Sequence, residues 1–174
     1  ALVPETAGLQ SEAFSPTRDR VLNTDLSQYR YIHFATHGLV NSRNPALSAL
    51  ALSQFDQRGD PLAGYLRLDD IYNLDLNADL VVLSACDTAL GREIRGEGLV
   101  GMSQAFLYAG ARGLVLSLWP VSDAATATLM TRFYEHMLKE GASTGDALRT
   151  AQLSMAAESR WASPYYWGAF VLVG

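Results

Sequence analysis

Residues 80–88 read LVVLSACDT. Four apolar residues run without a break, two small ones follow, and the chain then turns polar at Asp87 and Thr88. A strand with one wet face alternates apolar and polar residues. A continuous apolar run is what a strand covered on both faces requires. Such a strand lies inside a sheet with a layer packed on each side, which points to an α/β fold. The single cysteine of the chain, Cys86, falls where this strand gives way to a polar loop. It is either a small core residue or a nucleophile held at the rim of a sheet.

The flanking sequence repeats the pattern. Upstream, residues 29–36 (YRYIHFAT) are aromatic and β-branched and read as a strand ended by His37-Gly38. Residues 46–53 (ALSALALS) alternate with period two, a turn-rich stretch DQRGDPLAG follows, and 65–68 is the return arm of a hairpin. LDDIYNLDL (68–76) reads as a short helix and a loop. Downstream, Leu99, Met102, Phe106 and Ala109 recur at helical spacing before Gly110. Residues 113–119 (GLVLSLW) form another buried strand stopped by Pro120, and Ser122 caps a helix beginning at Asp123. Leu129, Phe133 and Met137 make one apolar stripe on that helix, beside Met130, Tyr134 and Leu138. Ser143 and Asp146 form a capping box for the last helix, and 165–173 (YYWGAFVLV) reads as a final strand. Residues 1–28 are weakly patterned, an irregular lead-in expected to be a truncated domain edge, before a domain spanning 29–174.

Bulk properties narrow the function classes. A length of 174 residues suits one domain with a substantial core. The net charge of −5 argues against non-specific binding to nucleic acid or an anionic membrane, both of which need a basic face. One cysteine makes no internal disulfide, and no apolar run approaches the ~18–20 residues that span a bilayer. The opening ALVPETAGLQSEAF lacks a basic-then-apolar secretory pattern, so a cytoplasmic setting is the default expectation. The chain opens on Ala1 and ends inside a strand-like run, and is expected to be a piece of a longer protein.

Candidate chemistry gathers where strands end, because ligands of α/β sheets collect beyond the carboxyl ends of the strands. His37 and Cys86 fall at two such ends. An imidazole beside a thiol can take its proton or stabilise the thiolate, and only the thiolate attacks carbonyls well. The plain alternative is a buried cysteine and a histidine that merely ends a strand. Gly38, lacking a side chain, lets its N–H approach a substrate oxygen, and with the Cys86 N–H it can form an oxyanion hole. His33 reads best as a satisfied core histidine, and a His33–His37–Cys86 zinc site lacks an evident fourth ligand. GEGLVG (96–101) matches G-x-G-x-x-G, but about ten residues separate it from the preceding strand, where a dinucleotide fingerprint follows directly. Asp69, Asp70, Asp75 and Asp79 lack calcium-loop spacing and read as a solvated acidic face. No cofactor or metal is expected.

Taken together, HFATHG (33–38), LSACDTALG (83–91), GEGLVGMSQAFLYAGAR (96–112), SLWPVSD (117–123) and PYYWGAFVLVG (164–174) resemble the CHAT domain. That is the caspase-like, separase-related cysteine peptidase module often fused to tetratricopeptide repeats in bacteria. The resemblance implies a three-layer αβα sandwich with a mostly parallel central sheet. It matches His37 to the catalytic histidine and Cys86 to the nucleophile. The 49-residue separation agrees with the roughly 50 of caspases. It implies Gly38 and Cys86 as oxyanion donors. It also places Asp123, otherwise a first-turn acid that stabilises the helix dipole, where an acidic group would receive a basic P1 side chain; Asp87, next to Cys86, is a second acidic candidate by position alone. The implied partners are a protein or peptide substrate and a tetratricopeptide-repeat region or other regulator. A catalytically silent interaction module on the same fold is the alternative.

Overall fold

The computed structural model describes residues 8–41, 44–84 and 97–174. In chain order the elements are α1 (Arg18–Asn23), β1 (Tyr31–Phe34), β2 (Gly38–Leu39), β3 (Ala49–Ala51), β4 (Tyr65–Arg67), α2 (Leu68–Tyr72), β5 (Leu80–Leu83), α3 (Glu97–Tyr108), β6 (Leu114–Ser117), α4 (Asp123–Tyr134), α5 (Thr144–Ala156) and β7 (Phe170–Val173). The main sheet has the order β1-β5-β6-β7. β1, β5 and β6 are parallel, and β7 closes the edge antiparallel to β6.

β5 occupies the centre for the reason its sequence suggests. Val81 and Leu83 pack into one apolar cluster with Met102 and Phe106 of α3 and Ile71 of α2. Leu80 and Val82 pack into a second with Leu129 and Phe133 of α4 and Leu148 and Met155 of α5. All four β5 side chains are at most 2% exposed. Helical layers therefore cover both faces, giving the αβα sandwich with a mostly parallel sheet. Fully burying each aliphatic side chain contributes about 1.5–3 kcal/mol.

Local capping chemistry sets the helix boundaries. The Ser122 side chain accepts from the Ala125 N–H to start α4. Ser143 accepts from the Asp146 N–H while its hydroxyl donates to the Asp146 carboxylate, starting α5. Gly110 closes α3 at φ +110°, and a Cβ there would overlap the Leu76 carbonyl oxygen.

Four features differ from the sequence expectation, the first being that part of the lead-in, read as irregular, folds as helix α1 behind the Thr17 cap. His37-Gly38 does not simply end a strand: Gly38–Leu39 pairs with β3, so the insertion is the three-stranded antiparallel sheet β2-β3-β4. The last strand begins at Phe170 and not at Tyr165, because Ser163 caps a 3-10 turn over Pro164–Tyr166. The acidic face is only partly solvated. The Arg18 guanidinium grips Asp70 with two hydrogen bonds of 2.9 and 2.6 Å, and Asp79 pairs with both Arg30 and Arg112. Asp70 also accepts the Arg67 N–H at 3.0 Å. One carboxylate thus fastens the lead-in helix α1 to the start of α2. Hydrogen bonding from Arg18 holds the Asp70 carboxyl below its ordinary value.

Two stability predictions follow from these contacts. Gly110→Ala should cost at least about 2 kcal/mol in denaturant unfolding, because it combines a left-handed φ with a backbone overlap. A cost within the noise would mean the α3–β6 turn relaxes freely. Asp70→Asn should cost about 1–2 kcal/mol at neutral pH, since the pair is bidentate but only half-buried and partly screened by water. Because the folded carboxyl titrates below its unfolded value of 3.8, this contribution is present above that pH and fades as pH falls through the folded value. A wild-type–variant difference that is flat with pH would contradict the assignment.

Candidate functional site

The carboxyl ends of β1, β5 and β6 form one rim, with β5 in the middle. β1 and β5 run parallel in a register that pairs Phe34 with Leu83. His37 lies three residues beyond Phe34 and Asp123 six beyond Ser117, the end of β6. Cys86 and Asp87 lie outside the described residues.

The segment carrying His37 is braced by the insertion. The Thr36 hydroxyl donates to the Ala51 carbonyl, and the Ala51 N–H donates to the His37 carbonyl at 2.8 Å. The second bond flanks the Gly38–Leu50 pair and identifies it as the non-hydrogen-bonded kind in the antiparallel ladder. The Gly38 N–H therefore points away from β3. Gly38 itself is buried, while the His37 side chain is exposed. A backbone donor is thus left outside the β2–β3 ladder, beside an accessible imidazole.

Asp123 is exposed in the first turn of α4, on a loop clamped from the far side. The Trp119 indole N–H donates to the Tyr165 carbonyl at 3.0 Å, and the Tyr165 hydroxyl donates back to the Pro120 carbonyl at 2.7 Å. The Ser117 hydroxyl donates to the Trp119 carbonyl at 2.6 Å. These side-chain bonds fix the β6–α4 loop together with the Leu118 N–H bond to the Ala169 carbonyl at 2.9 Å.

His33 is a satisfied histidine, as its sequence context suggests, but it is not a core residue. Its Nε2 lies 2.8 Å from the Ser84 hydroxyl and its Nδ1 3.2 Å from the Tyr134 hydroxyl. The residue is exposed on β1, although both ring nitrogens are hydrogen-bonded to protein. Desolvation pulls the imidazole down to about 4 and pushes the Tyr134 phenol up, so both stay neutral at physiological pH. Sequence reasoning missed the Ser84 and Tyr134 partners. Tyr134 reads as one more member of an apolar stripe. The available signal was a polar residue on the same face of two otherwise apolar strands, since His33 pairs with Val82 and Ser84 is two residues on.

The remaining candidates do not join this rim. His136 pairs with Glu140 at 2.8 Å in a π-helical turn after α4. Among the described residues no group of three or more His, Cys, Asp or Glu could hold a metal ion. From Glu97 on, GEGLVG lies in α3, which begins 14 residues after the end of β5 at Leu83 in sequence. That is not the strand–turn–helix context a dinucleotide fingerprint needs. Among the described residues no helix is long and apolar enough to cross a membrane.

The His33 shift has a signed consequence. Between pH 6.5, the ordinary value, and about 4, the unfolded chain binds a proton at this position that the folded chain refuses. Stability should therefore fall as pH drops through that window. In His33→Gln that component should be missing, leaving a flatter curve of unfolding midpoint against pH from 6.5 to 4. Parallel curves for the two proteins would refute a desolvated His33.

Comparison with known proteins agrees with the architecture. The CHAT domain family model matches residues 4–174, so it takes in nearly all of the lead-in. Tetratricopeptide repeat protein 28 of mouse is 34% identical over 206 aligned positions, and the human protein of the same name 29%. The alignments cover 99% of this chain but 8% of each relative, so the chain spans about a twelfth of their length. With its two-faced parallel sheet and a family match from end to end, this chain belongs to the CHAT domain family.

Proposed function

We propose that this domain is a cysteine endopeptidase that cleaves protein substrates with a Cys86–His37 dyad. The observation that carries the reading is the β1–β5 register. The strands end side by side at Phe34 and Leu83, and His37 and Cys86 each follow by three residues in sequence. In the proposed mechanism the Cys86 thiolate attacks a peptide carbonyl, and the N–H groups of Gly38 and Cys86 hold the oxyanion. His37 delivers a proton to the leaving amine, and water then hydrolyses the thioester. The outward direction of the Gly38 N–H supports its part in this scheme. Asp123 opens α4 on the same rim, and with Asp87 it is the proposed acidic partner for a Lys or Arg side chain at P1.

A regulatory partner, such as a tetratricopeptide-repeat region, is part of the proposal. It is favoured by relatives that carry such repeats in their names. Repeat solenoids present extended concave binding surfaces, suited to hold a substrate or a silencing segment against the domain. The same observation favours the second reading, a catalytically silent interaction module. A cytoplasmic setting fits a chain with one cysteine.

Cleavage of a positional-scanning peptide library by the domain, alone and with its adjoining chain, separates the readings. Turnover should favour basic P1 residues and should fall by about 10³-fold or more in Cys86→Ala and in His37→Ala. Turnover that survives Cys86→Ala would sink the mechanism, and a P1 preference other than Lys or Arg would remove Asp123 from its role. Silence in both formats would favour the interaction module.

A further inference from the structure

Three polar side chains from three elements meet on the α4 side of the sheet, apart from the proposed dyad. His33 projects from β1, Ser84 directly follows β5 and Tyr134 ends α4. The His33 ring bridges the other two through hydrogen bonds of 2.8 and 3.2 Å, and lies 5.7 Å from the Tyr134 ring at a tilt of 38°. Ser84 is buried, and its N–H also donates to the Phe34 carbonyl at 3.2 Å. One residue thus joins β5 to β1 through both its backbone and its side chain.

These elements lead to the residues of the proposed site. β1 runs on to His37, Ser84 stands two residues before Cys86, and α4 begins at Asp123. Apolar side chains would fill the same space at lower desolvation cost, but they slide and repack. A hydrogen-bonded bridge fixes distance and direction. We propose that His33 is a positioning residue: by bridging Ser84 and Tyr134 it locks the carboxyl ends of β1 and β5 against α4 and so sets the His37–Cys86 geometry. This rests on the peptidase reading above. The neutral ring suits the task, since one nitrogen accepts from a hydroxyl while the other donates to the second.

The test needs no substrate, because Cys86 is the sole thiol of the chain. The rate of iodoacetamide alkylation, followed from about pH 5 to 9, reports its thiolate. Unfolding curves run in parallel identify variants that keep the fold. Wild type should show a His37-dependent reaction at neutral pH. His33→Phe, which keeps a ring, should lower that rate about tenfold and move the profile toward an ordinary thiol near 8.5. Tyr134→Phe and Ser84→Ala should each lower it about threefold, and His33→Gln should recover part of the loss. If folded His33→Phe, Tyr134→Phe and Ser84→Ala all keep the wild-type profile, positioning is overturned while the dyad stands. If wild type shows no His37-dependent component, the peptidase reading and this inference fall together. Should His33→Phe not fold, Tyr134→Phe and Ser84→Ala, each lacking one hydroxyl, decide the question.

Discussion

Because β5 lies between β1 and β6 and beneath two helical layers, every group on it must be satisfied by protein. The side chains meet that demand by being aliphatic. The backbone meets it through two parallel neighbours in tight register. Much else follows from this strand. α2, α3 and the insertion supply one cover, with Leu50 and Leu66 reaching into the same cluster as Phe106. α4 and α5 supply the other. A polar or absent side chain would open the α2–α3 layer at Val81 and the α4–α5 layer at Val82.

Parallel strands also dictate where chemistry can sit. Each needs a crossover, so β1, β5 and β6 all release their chains at the same end of the sheet. Polar groups that the interior would penalise are tolerated there, within reach of water. This chain spends its bracing on that rim. The insertion holds the segment after β1 through Ala51, and the Trp119–Tyr165 exchange holds the loop after β6. Two of the three rim connections are thus fixed by bonds from outside their own strands.

What was legible in the sequence was whatever is encoded locally. The apolar run 80–83, the Ser122 and Ser143 caps and the 129–133–137 stripe each state their structure within a few residues, and each is found where expected. What was not legible depends on partners distant in sequence. Gly38–Leu39 is too short to show alternation and becomes a strand only because Ala49 and Leu50 lie beside it. Asp70 resembles its acidic neighbours until Arg18, 52 residues away, closes on it. Tyr165 is strand-like in composition, yet its hydroxyl is claimed by Pro120. Of the candidate site residues, His37 lies just past β1 and Asp123 opens α4, where strand ends and helix starts are readable in the sequence. Cys86 and Asp87 lie outside the described residues, so their part rests on sequence alone.

The His33 bridge sets stability against geometry. On an otherwise apolar face, a hydrogen-bonded trio adds little net stability over an apolar one, because its bonds replace bonds to water. It also brings an acid-sensitive liability, since a ring held near pKa 4 resists the proton that the unfolded chain accepts. Dispersion and burial alone would favour valine or leucine in place of His33. What an apolar contact does not supply is a fixed angle between neighbouring elements: its energy changes little over small slides, whereas a hydrogen bond weakens steeply once bent. The bridge joins three elements just beyond the last residues of β1 and β5, beside the Ser84 N–H bond to the Phe34 carbonyl. At that point directionality matters more than burial, and a polar trio is the arrangement that supplies it.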